Sequence, residues 1–151
     1  SDTHAHFAKL SSDEIAAEIN ACSDKIEALT GVRPTLFRCP YGEYDDHVIS
    51  AIRSMGMEPI QWDVDSLDWK DYDAPTICKR VTSKLAPGSI VLFHNAALHT
   101  PEALPEILEC MIREGYTVLP ISQLILHESY TMDHTGRQFA AQTDETGEAA
   151  G

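Results

Sequence analysis

From Ser11 to Gly31 the apolar residues Ile15, Ile19, Cys22, Ile26 and Leu29 fall four, three, four and three apart, which is one face of a helix. Ser11 and Glu14 form a capping box ahead of this stretch, and Gly31 is a natural stop behind it. Thr35-Leu36-Phe37 then reads as a short strand. A second helix is predicted over 45–55, apolar at Val48, Ile49, Ile52 and Met55 and ended by Gly56, with a strand over 58–64 after it. Asp73 caps a third helix that has Pro75 early in its first turn and runs to Leu85. Pro87-Gly88 turns the chain into a compact apolar strand, Ser89 to Phe93, that leads straight to His94. Thr100 caps a fourth helix with Pro101 at its first position; its apolar residues are Leu104, Ile107, Leu108 and Met111, and Gly115 ends it. Tyr116 to Leu119 is predicted as a last strand, followed by a short helix through Leu126. Helix and strand alternate throughout, so the expected fold class is α/β, a parallel sheet or barrel wrapped by helices. After Tyr130, Thr, Asp, Glu, Gly, Ala and Gln dominate. Residues 130–151 are therefore predicted to be a disordered acidic tail, and 1–129 the folded portion.

Composition narrows the choice of partner. The 151 residues suit one domain, and 24 Asp and Glu against 11 Lys and Arg leave a formal charge of −13. That balance lacks the basic footprint of nucleic-acid binding and suits an uncharged polymer or a small neutral substrate. No apolar run is long enough to span a membrane. Cys22, Cys39, Cys78 and Cys110 show no C-x-x-C pairing or zinc-ribbon spacing. Cys22, Cys78 and Cys110 are expected as buried free thiols on helices, with a single bridge left open.

Three polar stretches sit where apolar runs end: Arg38-Cys39-Pro40-Tyr41-Gly42, Asp65-Ser66-Leu67-Asp68-Trp69 and Leu92-Phe93-His94. Titratable groups at the carboxyl ends of successive strands are how α/β folds build active sites, which favours an enzyme. His94 should project at the mouth of its strand. Asp68 beside it would fix its tautomer and raise its basicity, and Trp69 would shield the pair from water, making a general acid for a leaving amine. Arg38 leads into a Pro-Tyr-Gly turn whose amides suit an oxyanion, while a guanidinium clamps a carboxylate at two points. His4 and His6 lie two apart near the start and offer at most two of the three or four ligands that a metal needs.

Taken together these residues resemble the polysaccharide deacetylase family, the NodB homology domain or carbohydrate esterase family 4. Ser1-Asp2-Thr3-His4 is similar to the family's His-Ser/Thr-x-x-His motif without its first histidine. Arg38 to Gly42 resembles Arg-x-Pro-Tyr-Gly, with Cys39 where most members have Pro. Asp65 to Trp69 resembles Asp-Ser-x-Asp-Trp, and Leu92 with His94 resembles Leu-x-His. The likeness runs from Ser1 to Leu126 with its motifs in order.

The resemblance implies a partial (β/α) barrel of the NodB deacetylase type whose amino-terminal strands are absent from this chain. It implies hydrolysis of N-acetyl groups on GlcNAc- or MurNAc-type units of peptidoglycan or a chitin-like polymer, outside the cytoplasm or at the cell envelope. His4 would ligate zinc, Arg38 would orient a catalytic aspartate, and the Tyr41 backbone amide would hold the tetrahedral oxyanion. His94 would be the general acid tuned by Asp68, with Leu92 and Trp69 lining the acetyl pocket. The family's first motif, Thr-Phe-Asp-Asp-Gly, is missing; the only Asp-Asp, Asp45-Asp46, opens a predicted helix. With one of three expected ligands present, zinc belongs to the complete enzyme and should be weak or absent here. The expectation is a carboxyl-terminal portion, inactive alone and covered by a missing segment, a partner chain or self-association along an open sheet edge. A glycan-binding or self-associating module without hydrolysis is the alternative.

Overall fold

In the computed structural model, which describes residues 1–141, the first helix begins at the predicted capping box. Ser11 Oγ accepts from the Glu14 backbone N–H, and the Glu14 carboxylate accepts from the Ser11 N–H at 2.8 Å. The helix, α1, is Ser12–Thr30, and Gly31 closes it in the left-handed region at φ 76°. The chain divides into two compact units, Ser1–Trp62 and a second from Asp63 onward, within the stretch predicted as one folded portion.

In the first unit β1 (Leu36–Arg38) pairs in parallel with β2 (Glu58–Ile60), and α2 (Asp46–Ser54) lies between them in sequence. Asp45 caps α2 by accepting from the Val48 N–H. Phe7, Ile15, Ile19, Val48 and Ile52 are at most 1% exposed and form the centre of this unit's core. Each such side chain contributes about 1.5–3 kcal/mol relative to leaving it in water. The predicted apolar face of α1 is buried only in its first half: Ile26 and Leu29 are exposed.

In the second unit β3 (Val64–Asp65) pairs in parallel with β4 (Val91–Leu92). α3 (Ala74–Thr82) packs on α4 (Thr100–Arg113). Their shared core holds Val64, Ile77, Val81, Ala103 and Ile107, each at most 1% exposed. The single strand predicted over 58–64 is two strands with different partners. Asp63 explains the change: its N–H bonds to the Ile90 carbonyl, while its carboxylate accepts from the Ile90 N–H and the Ser89 hydroxyl.

Three other expectations differ from the structure. Tyr116 to Leu119 forms no strand, because Tyr116 turns its ring to the core and donates its hydroxyl to the Leu85 carbonyl while Val118 and Leu119 stay exposed. It is followed by the short α5 (Ile121–Leu124). Within the predicted disordered tail, β5 (Tyr130–Met132) and β6 (Gln138–Ala140) pair as an antiparallel hairpin. Asp133 organises its turn by accepting from the amides of Thr135 and Arg137. The rest of that tail, 142–151, lies outside the described residues. All four cysteines are free, and Cys39 and Cys78 are buried, but Cys22 and Cys110, expected to be buried, are only half-buried. No helix among the described residues is long and apolar enough to cross a membrane.

Candidate active site

In the first unit the chain leaves β1 at Arg38 and turns through Pro40–Gly42. The Gly42 N–H donates to the Cys39 carbonyl and the Glu43 N–H to that of Pro40. Tyr41 sits third in this turn at φ 59° and ψ 1°, where a type II turn normally demands glycine. Neither turn hydrogen bond uses the Tyr41 N–H. Gly42 is required twice over: its φ is +69°, and a Cβ there would lie 2.6 Å from the Trp62 ring.

Aromatic and charged contacts then hold the Tyr41 ring. His6 stacks on it at 4.2 Å and His4 meets it edge-on at 4.6 Å. The Glu43 carboxylate takes the His6 Nδ1 at 2.9 and 3.0 Å. Arg38 lies over the Trp62 ring at 5.7 Å, and none of the ion pairs among the described residues includes it. Cys39 is 3% exposed, and burial pushes its thiol up to about 11 against the opposing charge of Arg38. It is therefore a neutral packing group rather than a nucleophile.

The second unit brings Asp68 and His94 together as a carboxylate–imidazole pair. Asp68 is fully buried, and its Oδ1 lies 2.8 Å from the His94 Nδ1. Its Oδ2 accepts from the His94 backbone N–H at 3.0 Å and from the Thr100 hydroxyl at 2.6 Å. The Asp68 N–H in turn donates to the buried Ser66 Oγ. Burial by itself would raise the Asp68 carboxyl, but the His94 N–H, the Thr100 hydroxyl and the His94 ring outweigh it and hold it below its ordinary value. Asp68 is thus an ionised acceptor that fixes His94 with its proton on Nδ1, and no described side chain engages the His94 Nε2.

Val91 and Phe93 pack into the core, so alternation along the extended chain puts Leu92 and His94 together on the opposite face. That is the physical content of the Leu-x-His spacing. Trp69 is 55% exposed, with its ring edge-on to His94 at 6.5 Å and the Lys70 ammonium 5.2 Å over it.

The structure thus brings Asp68, His94 and Trp69 into one cluster, and His4 and Tyr41 into another. Reading residue types in order missed Thr100, Ser66, Trp62 and the His6–Glu43 pair. Thr100 looked like an ordinary helix cap. A further signal is backbone strain: besides Ser129, which lies away from the motifs, the described non-glycine residues with positive φ are His4, Tyr41, Leu67, Asp71 and Ala96, at 52° to 59°. These five lie in or within two residues of a motif, and each costs about 1–3 kcal/mol that the fold must offset.

Among the described residues no three His, Cys, Asp or Glu side chains gather as a metal-binding group. His4 and His6 share the Tyr41 ring, but His6 Nδ1 already belongs to Glu43. These residues do not by themselves fit a zinc ion.

Parallel strand pairs, with a left-handed Tyr41 turn at the end of one and a buried carboxylate–imidazole pair at the end of the other, define an α/β protein with a candidate active site. Comparison with known proteins gives the family. Residues 1–60 match the model for polysaccharide deacetylase. The chain is 37% identical over 122 residues to the peptidoglycan-N-acetylmuramic acid deacetylase PdaC of Bacillus subtilis (strain 168), covering 81% of this chain and 26% of that protein. The structure of a family 4 carbohydrate esterase from Streptomyces lividans in complex with acetate is 30% identical with a TM-score of 0.75, covering 93% of this chain and 67% of that one. That of a CE4 family pseudoenzyme from Bacillus anthracis is 35% identical with a TM-score of 0.76, covering 81% and 43%. The chain belongs to the polysaccharide deacetylase family, carbohydrate esterase family 4. It spans about a quarter of PdaC and less than half of the pseudoenzyme chain.

Proposed function

We propose that this chain carries the proton-donating and oxyanion-binding groups of a polysaccharide N-deacetylase acting on GlcNAc- or MurNAc-type units of peptidoglycan or a chitin-like polymer. The observation that carries the reading is the buried Asp68 with His94 held on its Nδ1. A ring fixed at Nδ1 presents Nε2 as the atom that delivers a proton to the departing sugar nitrogen, and such positioned acid catalysis is worth about 10²–10⁴ in rate. Leu92 and Trp69 are proposed to border the acetyl group. In the first unit, the Tyr41 N–H is proposed to hold the oxyanion and Arg38 to orient an aspartate. No Asp-Asp-Gly occurs in the sequence, so that base comes from outside this chain, and activity of the chain alone is not expected. Zinc enters the reading only with ligands beyond His4. A glycan of that kind would call for an activity outside the cytoplasm or at the cell envelope.

A second reading has a specific support: the similar Bacillus anthracis structure is that of a CE4 family pseudoenzyme. On that reading the chain holds glycan, or a second copy of itself, without hydrolysis. Joining the chain to the amino-terminal part of the PdaC deacetylase domain separates the two. The chimera should release acetate from N-acetylglucosamine oligomers. His94→Ala should lower its kcat at least about 100-fold while KM changes little. A folded chimera that binds the oligomers but releases no acetate would establish the second reading instead.

A further inference from the structure

Thr100 is the first residue of α4, yet its side chain serves a different element. Its hydroxyl reaches across to Asp68 Oδ2 at 2.6 Å, the shortest hydrogen bond to that carboxylate. The cap position falls to His99, whose side chain makes no capping bond. Oδ2 thus has two anchors, the Thr100 hydroxyl and the His94 N–H, while Oδ1 alone faces the His94 ring. Of these three hydrogen bonds two come from His94 itself, so the Thr100 hydroxyl is the one that sets the carboxylate against a separate element; without it the carboxylate and the imidazole are held only by each other. With Asp68 fully buried, water is not at hand to replace a lost donor.

We propose that Thr100 is a positioning residue for the Asp68–His94 pair: its hydroxyl aims the carboxylate so that His94 is kept as the Nδ1–H tautomer with Nε2 free. The inference rests on the reading of His94 as proton donor only for its consequence, since the tautomer is a property of the chain itself. The sequence pattern that makes Thr100 a helix start therefore also ties α4 to the loop after β3.

The test is ¹⁵N-histidine NMR on the full chain. In the parent and in Thr100→Ser, which keeps the hydroxyl, the His94 ring nitrogens should show the Nδ1–H tautomer. In Thr100→Val, which keeps the shape but loses the donor, the signals should move toward the Nε2–H form. A Thr100→Val chain with a lower melting temperature but an unmoved tautomer would make Thr100 a packing residue and overturn the proposal. If Thr100→Val does not fold, the parent decides. Its Thr100 hydroxyl proton should exchange slowly with water; an exchange-averaged signal overturns the proposal equally. A fixed tautomer in a chain whose chimera releases no acetate would remove the enzyme reading and leave this one standing.

Discussion

In the first unit, Tyr41 is 56% exposed and held from outside, by two imidazoles and a left-handed turn. In the second, Asp68 is out of contact with water and held from within, by the His94 amide, the His94 ring and the Thr100 hydroxyl. On the roles proposed above, the difference follows what each group would have to do. A backbone amide meant for an incoming oxyanion must stay accessible, so only its conformation is fixed. A carboxylate that orients an imidazole must not swing, and burial with every donor satisfied achieves that. The exposed arrangement rests on contacts that water weakens, the buried one on hydrogen bonds whose loss strands charge.

Replacing Asp68 with Ala should give the largest effect. It strands the His94 N–H, the Thr100 hydroxyl and the ring donor, at a cost of about 3–5 kcal/mol. The two tryptophans, Trp62 and Trp69, lie in different units, so single-tryptophan variants report each separately in urea. The Trp69 transition should move to lower urea and the Trp62 transition much less; equal movement would break the contrast. The carboxyl is held below its ordinary 3.8, so the ionised form's stabilisation is complete above that value and lost as pH falls through the lowered one. The gap between the parent and Asp68→Ala should therefore narrow only in acid beyond pH 3.8.

Gly42→Ala comes next. The new methyl meets Trp62 and the left-handed φ is retained, at a cost of about 1–3 kcal/mol. Emission of Trp62, measured with Trp69 replaced by Phe, should change as the indole is displaced. An unchanged spectrum and midpoint would show the turn to be softer than its geometry implies. Glu43→Gln should have the smallest effect. It breaks a half-exposed pair with His6, worth about 0–1 kcal/mol and weaker still in salt. A loss as large as that of Asp68→Ala would erase the distinction between the two units.

Much of this was legible in residue order. The caps Ser11 and Asp73 and the stop at Gly31 are local signals, and each acts as predicted. The Asp68–His94 pair was also legible, because the two motifs sit at the ends of consecutive strands that pair in parallel. Thr100 was not. A threonine before proline has the same local signature whether it caps a helix or crosses to a carboxylate 32 residues away. The hairpin of β5 and β6 was missed for a related reason: its apolar content is low, and turn hydrogen bonds to Asp133 supply the order that composition does not reveal. The uninterrupted strand expected over 58–64 changes partner because Asp63 is claimed by Ser89 and Ile90, residues far along the chain.

Sequence by itself determined the α/β alternation, the main helix caps and stops, and which side chains are candidates for chemistry, since periodicity, caps and motif spacing act within a few residues. Tertiary structure decided which donors surround Asp68, what leans on Tyr41, and why Gly42 must be glycine. Those depend on residues distant in the chain arriving within hydrogen-bond or van der Waals reach, a condition that no local pattern encodes.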